Sequence, residues 1–513
     1  MASHLSVLML WAPLAVSALL NEAAARVPTH ELDVVLHPVV DAKAEVSAIE
    51  VSERVDGELP VDGSPLSLSV PVTYAAVTHV ADRITALVVN DVDGSVPLLT
   101  GDDKPAAGGF PYYRHWIAQR AVRFPVSITY TALVQPTGSP NGPAFGIRPS
   151  GGGVSGSGGG FLLLPSNAGT TMSRVRWDLG ALPQGSVGVT TFGEGEFNVP
   201  GSAERLNEEW MMAGPVHRFS APGGKDNFSA FWLGTAPFDA EKEMSWVASA
   251  YSELAKSFRY LNPAPNYRVF MRVLDAPPYG GGTALANSFM LSMSTAGSHG
   301  SIADRRETFF HEMTHQWVGD IEAAEGVKAW FVEGLTVYYT TVLPLRGGLI
   351  PIDEYAERVN RQAREYYESP ARNWSAAKIA EIGFGDERTR HTPYMRGALY
   401  FADLDRQIRQ RSHGRRDLDA FLCPMFVSRQ RGVRFDVTAW ESMLGKELGP
   451  RAVAEFRAEL LDGTKTVVPA DGAFGPCFSR VREKPPGDSN DDNPPIYQWA
   501  RVTLVPDALC RAW

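Results

Sequence analysis

The sequence predicts an α+β chain of several domains: an N-terminal antiparallel β-sandwich-like domain, a mixed middle segment and a C-terminal helical domain. Three observations carry this. Up to about residue 235, apolar residues come in short runs rich in Val, Thr and aromatics, punctuated by Gly, Pro, Asn and Asp. Near residue 238 the apolar spacing changes from strand-like to helical. After residue 350 it stays mostly helical. A length of 513 residues leaves room for two or three such domains. The changes place segments at 1–25, 26–236, 237–348, 349–465 and 466–513.

Residues 1–25 read as a signal peptide. An apolar run at 5–20, broken by Pro13, is followed by Ala23, Ala24 and Ala25 as an A-x-A-like cleavage site. The run is short for a membrane span and has no basic cluster beside it. The expectation is an exported protein, periplasmic or secreted, with no stable membrane insertion after cleavage. An uncleaved anchor is the alternative. In 26–236, HELDVVLHPV, ALVVND, FPVSITYTALV and SVGVTTFGEGEF read as strands, and no long helical stripe interrupts them. Residues 146–160, GIRPSGGGVSGSGGG, hold too much glycine for a regular element. They read as a flexible surface loop, or as a loop that approaches the active-site cleft.

Helical spacing begins in FDAEKEMSWVASAYSELAKSFRYL, at Met244, Val247, Tyr251, Leu254 and Phe258. Asp239 can cap its start. A strand, YRVFMRVLD, a glycine turn from Tyr279 to Gly282 and an extended run, NSFMLSMS, come next. Two helices follow, ETFFHEMTHQWVGD and AWFVEGLTVYYTTVL. Further helices are expected at 352–368, 393–411 and 450–461. The segment 466–513 is rich in Pro, Gly, Asp and Asn and reads as an irregular tail. Cys477 and Cys510 bracket the Pro/Asp/Asn-rich stretch and could close it as a loop, although spacing alone assigns no pairing.

Composition excludes some functions. The net charge is −10, and no Lys/Arg block would track a phosphate backbone, so nucleic acid is not the expected partner. No C-x-x-C pair exists, which argues against a cysteine zinc site or a redox dithiol.

The chemistry concentrates in His311-Glu312-Met313-Thr314-His315. Positions i and i+4 of a helix share one face, so His311 and His315 can present two imidazoles to one tetrahedral Zn²⁺. Glu312 sits beside them as a general base for the attacking water. Such a site needs a third protein ligand and an open position. Glu333, in Trp330-Phe331-Val332-Glu333-Gly334, is the candidate, because its helix looks buried and a buried carboxylate needs a partner. Tyr394 is either an oxyanion donor or a tyrosine that starts a core helix. Arg396 either binds a substrate carboxylate or pairs with an acidic neighbour. Gly280, Gly281 and Gly282 would let a substrate backbone approach the cleft strand closely.

HEMTHQWVGD followed by WFVEG resembles the gluzincin metallopeptidases, the group of aminopeptidase N and leukotriene hydrolase. Within that group, APPYGGGTALANS, WFVEGLTVYY and TPYMRGALYFADLDRQIRQRS, with GGGFLLLP in the first half, resemble the glycyl aminopeptidase family. The resemblance implies one zinc ion on His311, His315 and Glu333. It implies Glu312 as base and later proton donor, Tyr394 as oxyanion stabiliser, and a peptide or protein substrate. It also implies a thermolysin-like catalytic domain at 237–348 and a helical domain at 349–465 closing the cleft.

Three departures stand out. The family's Gly-Gly-x-Glu stretch holds an amine-anchoring glutamate, whereas Gly280 to Ser288 here contains no acid. Seventeen residues separate His315 from Glu333, where aminopeptidase N relatives usually have eighteen, and the connecting loop can absorb the difference. Family members often add a PDZ-type module, and the tail here, short and Pro/Asn-rich, is not expected to form one. A zinc-containing peptide-binding protein without catalysis, and a zinc hydrolase of a non-peptide bond, are the alternatives.

Overall fold

Alternating burial along the strands builds the first sheet. In the strand Glu31–Val40, Leu32, Val34 and Leu36 are buried while their neighbours are not. The strand is the third of seven, in the order Phe197–Pro200, Met172–Trp177, Glu31–Val40, Val46–Asp56, Val126–Leu133, Ile84–Asp91 and Gly94–Ser95. A three-stranded sheet of Ser67–Thr73, Tyr112–Ala118 and Leu98–Asp102 shares its core through Leu68, Val70 and Trp116. The first half is therefore β-rich and sandwich-like, as predicted. It is not wholly antiparallel, because Glu31–Val40 and Met172–Trp177 run parallel. The long connection between them permits that direction.

The computed structural model describes residues 31–59, 62–136, 145–165, 167–221, 227–260, 263–276, 279, 281–295, 301–483 and 495–513. The signal-peptide segment and Gly280 lie outside these residues.

The glycine-rich stretch is not a flexible surface loop. Its residues Arg148–Ser150 and Gly153–Ser157 form two strands of a four-stranded sheet, completed by Trp210–Gly214 and Val187–Thr190. Every residue of Gly153–Ser157 is buried. The glycines serve close packing: a Cβ on Gly158 would lie 1.8 Å from the Leu206 carbonyl oxygen. The buried Arg272 side chain donates to the carbonyls of Gly146 (2.9 Å) and Ser155 (3.2 Å), tying this sheet to the next.

That next sheet is mixed, in the order His217–Ser220, Phe228–Leu233, Tyr267–Leu274, Ser288–Ser294 and Gly282–Leu285. Its three middle strands are parallel and its two edges antiparallel. Phe270 and Met290 pack towards the glycine-rich sheet. Val269, Met271 and Phe289 pack in the core shared with the helices. Burial on both faces explains the continuous apolar runs of these strands.

The helices follow the predicted periodicity. Ala240–Ser257 is capped by Asp239, whose side chain accepts from the Lys242 N–H. Ile302–Val318 starts with a capping box of Ser301 and Asp304. Ala329–Arg346 crosses Thr392–Arg411 at Gly334 and Gly397, where a Cβ on Gly334 would lie 2.6 Å from the Gly397 Cα. This close crossing brings the turns carrying Glu333 and Tyr394 together. The C-terminal region is helical up to Leu461. Among the described residues no helix is long and apolar enough to cross a membrane.

The tail departs from the irregular segment expected. Phe478–Glu483 and Ile496–Arg501 pair as an antiparallel hairpin, and Cys477 is disulfide-bonded to Cys510. The hairpin docks on the helix Ile352–Tyr367, where the Asn360 side-chain amide bonds both the N–H and the carbonyl of Trp499. Two short strands around a Pro/Asn-rich connection have too little periodicity to be read from sequence. Burial of Trp499 and the disulfide secure them here.

Candidate metal centre and cleft

The helix Ile302–Val318 is amphipathic in a way that aims its histidines. Phe309, Phe310, Met313, Trp317 and Val318 are fully buried on one side. His311 and His315, one turn apart, face a cleft of about 1170 Å³ on the other. Glu333 enters the same cleft from the helix Ala329–Arg346. Its Oε2 lies 3.3 Å from His311 Nε2 and 3.4 Å from His315 Nε2, and the two Nε2 atoms are 3.2 Å apart. Atoms roughly 2.0–2.1 Å from a tetrahedral zinc would stand about 3.4 Å apart. The three ligand atoms therefore have the spacing that one such ion requires. Among the described residues this is the group of His, Cys, Asp and Glu side chains that could hold a metal.

Neighbouring groups prepare these side chains. The Thr336 hydroxyl donates to the Val332 carbonyl (2.6 Å), so its oxygen is left to accept from His315 Nδ1, 3.3 Å away. That contact turns the ring so that Nε2 faces Glu333. Thr336 was not singled out from the sequence. Its spacing of one turn after Glu333, on the same helix face, was the available signal. Burial acts to raise the Glu333 carboxyl, but the two imidazoles outweigh it and hold it well below the usual carboxylate range.

Glu312 lies against the edge strand Gly282–Leu285. Burial pushes its carboxyl up, while His311 and His315 pull the other way and the Ala284 N–H donates to it. A Cβ on Gly282 would sit 2.5 Å from Glu312 Cγ. Gly282 is therefore glycine because the glutamate occupies its side-chain space. Gly281 has nothing within 4 Å of where a Cβ would be, and it lines the open cleft.

Tyr394 stands beside the candidate ligands, its ring 6.4 Å from that of His311 and nearly parallel to it. Burial raises its phenol above the ordinary tyrosine value, and Glu333 adds to that. Arg396 is not in the cleft. It is 1% exposed, and its Nη1 donates to the Trp374 carbonyl (2.8 Å), so the expectation that it binds substrate is corrected. Two residues along a helix turn it by roughly 200°, so position 396 falls on the core side while Tyr394 faces the cleft. Arg390, one turn before Tyr394, lines the cleft instead. No helical pattern marks it in the sequence, because it precedes the helix predicted over 393–411. Glu208 also reaches the cleft, from the N-terminal β-rich part.

Residues 304–395 match the family model described as M61 glycyl aminopeptidase. No curated protein matches the sequence. Among solved structures, the chain is similar to an aminopeptidase N family protein from Idiomarina loihiensis, at 15% identity and a TM-score of 0.67, over 90% of this chain and 81% of that one. It is similar to a mutant M1 zinc metallopeptidase from Deinococcus radiodurans bound to a Tyr-Ser-Ala substrate, at 17% identity and a TM-score of 0.52, over 86% and 95%. Yeast LTA4 hydrolase in complex with bestatin aligns at 13% identity and a TM-score of 0.52, over 84% and 67%. At these identities the likeness is one of fold. The chain thus resembles the glycyl aminopeptidases among the gluzincins, on a multidomain fold shared with aminopeptidase N-type metallopeptidases.

Proposed function

We propose that the protein is a zinc-dependent peptidase, with one metal ion held by His311, His315 and Glu333. The observation that carries this reading is the convergence of two Nε2 atoms and one carboxylate oxygen within 3.2–3.4 Å of each other. Two imidazoles with a carboxylate and an open position suit zinc. Zinc held there would polarise a scissile carbonyl and lower the pKa of water. Glu312 takes the proton of the attacking water and passes it to the leaving amine. A carboxyl raised by burial suits both halves of that transfer. Tyr394 donates its O–H to the oxygen on which negative charge develops. The edge strand Gly282–Leu285, open along the cleft, can pair with an extended substrate backbone.

The absence of an acid between Gly281 and Ser288 gives no support to strict recognition of a free α-amine. A panel of free and N-blocked peptides separates an aminopeptidase from an endopeptidase. The apolar N-terminal run and the Cys477–Cys510 disulfide support export to an oxidising compartment.

Glu312→Gln tests the mechanism. The variant should bind one zinc per chain by metal analysis and lose peptide hydrolysis by at least about 1,000-fold. Retained turnover would rule out Glu312 as the base. A wild-type protein that holds zinc but cleaves no peptide would sink the peptidase reading.

A further inference from the structure

We propose that Arg390 is a positioning residue for Tyr394, holding the phenol oxygen so that its O–H is presented to the substrate oxyanion. This rests on the peptidase reading above and goes beyond it. Arg390 Nη1 donates to Tyr394 Oη at 3.1 Å. A guanidinium has donors only, so this bond occupies a lone pair of the phenol and leaves its proton free. The same bond draws electron density from the oxygen, which strengthens the O–H as a donor. A tyrosine near two imidazoles and a carboxylate would otherwise have several ways to spend that proton.

The guanidinium is itself held in place. Its Nη2 contacts His391 Nε2 at 3.0 Å and Glu387 Oε1 at 3.3 Å. Because Arg390 can only donate, His391 Nε2 is the acceptor and its Nδ1 carries the proton, facing Glu365 at 3.4 Å. The Phe384 ring lies beneath the guanidinium, 5.2 Å from ring centre to Cζ. Phe384 in turn meets the edge of Phe110, from the N-terminal β-rich part, at 5.8 Å. Three of the five N–H donors are thus engaged within the protein, both of those on Nη2 among them. A residue kept for binding a substrate carboxylate would present a free fork. The local chain geometry agrees: Arg390 ends the short helix Glu387–Arg390, and Tyr394 lies in the first turn of Thr392–Arg411, four positions on.

The test uses the full-length zinc-loaded protein and the variants Arg390→Gln, Arg390→Lys, Tyr394→Phe and Arg390→Gln/Tyr394→Phe. For a peptide that the wild type cleaves, Arg390→Gln should lower kcat about tenfold or more and leave KM within about twofold. Arg390→Lys, which keeps a cationic donor group without the planar fork, should recover part of the loss. On the Tyr394→Phe background, Arg390→Gln should cost less than about twofold more. Calorimetric binding of a phosphonate peptide, a mimic of the tetrahedral oxyanion, gives a second readout. Its affinity should fall by similar factors in Arg390→Gln and Tyr394→Phe, with product-peptide affinity unchanged. Multiplicative losses in the double variant, a rise in KM alone, or wild-type phosphonate affinity in Arg390→Gln would overturn the proposal. Wild-type turnover abolished by Glu312→Gln, with Arg390→Gln fully active, would defeat this inference and leave the peptidase reading standing. A wild type that cleaves no peptide would defeat both.

Discussion

The chain uses two glycine-rich stretches for opposite purposes. In Gly153–Gly160 the missing side chains admit other backbone: the Leu206 carbonyl occupies the space of a Gly158 Cβ. In Gly281–Gly282 they admit chemistry: the Glu312 side chain occupies the space beside Gly282, and the cleft occupies that beside Gly281. Glycine content alone cannot separate the two. What separates them is what lies where the Cβ would be. A glycine packed on backbone supports stability, one packed on a catalytic candidate supports geometry, and one facing solvent supports access.

Substitutions at these positions can break that comparison. The largest effect is expected at Gly158. An alanine there would place its Cβ 1.8 Å from the Leu206 oxygen, deep in a buried segment. The cost should be about 3 kcal/mol or more, read as a lower thermal unfolding midpoint. The zinc content of the folded fraction should not change. A midpoint within a degree of wild type would show that this packing yields easily.

Gly282→Ala should do the reverse. Its Cβ would stand 2.5 Å from Glu312 Cγ and push the proposed base aside. Displacement of a reacting group by about 1 Å can cost roughly 100-fold, so kcat/KM should fall by about that factor while the unfolding midpoint hardly moves. A loss of less than threefold would remove Gly282 from the catalytic geometry.

The buried stretch also carries a pH dependence of its own. The segment after Gly160 is tied down by Tyr130, whose hydroxyl accepts from the Leu163 N–H (2.9 Å) and donates to Glu53 (3.1 Å). Burial pushes the Glu53 carboxyl up to about 8, against the opposing bond from Tyr130. A folded pKa above the unfolded one means that the native state holds the proton. Its contribution to stability is complete below the unfolded value near 4.5 and is lost as pH rises through about 8. Stability should fall with a slope of up to about 1.4 kcal/mol per pH unit across that window. Glu53→Gln should flatten the slope, measured by urea unfolding at several pH values. An unchanged slope would show that Glu53 is ionised in the native protein. The smallest effect is expected for Gly281→Ala, where a Cβ meets nothing within 4 Å. Turnover and midpoint should both stay within about twofold and a degree or two of wild type.

The legibility of the molecule followed the range of its interactions. His311, Glu312 and His315 were readable because a helix brings i and i+4 together without help from the rest of the chain. Glu333 was readable because its helix is apolar-patterned and a buried carboxylate needs a partner. Arg396 and Arg390 show the limit. Both flank Tyr394 and both are arginines, yet one bonds the Trp374 carbonyl in the core and the other bonds the Tyr394 phenol in the cleft. The side taken by Arg396 depends on how Thr392–Arg411 packs against Ala329–Arg346 at the Gly334–Gly397 crossing, and that of Arg390 on the bend between Glu387–Arg390 and Thr392–Arg411. The tail was unreadable for a related reason. Its hairpin is defined by contacts with Asn360, more than a hundred residues away.

The sequence by itself determined the ordering of β-rich and helical regions and the pair of helices that carry the metal-ligand candidates. Each of these rests on local periodicity, which depends only on near neighbours along the chain. The tertiary structure alone decided that the glycine-rich stretch is buried sheet, that Gly282 makes room for Glu312, and that Arg390 is the arginine holding Tyr394. Each of those is a contact between segments distant in sequence or across a helix bend, and no local pattern encodes which atoms will meet there.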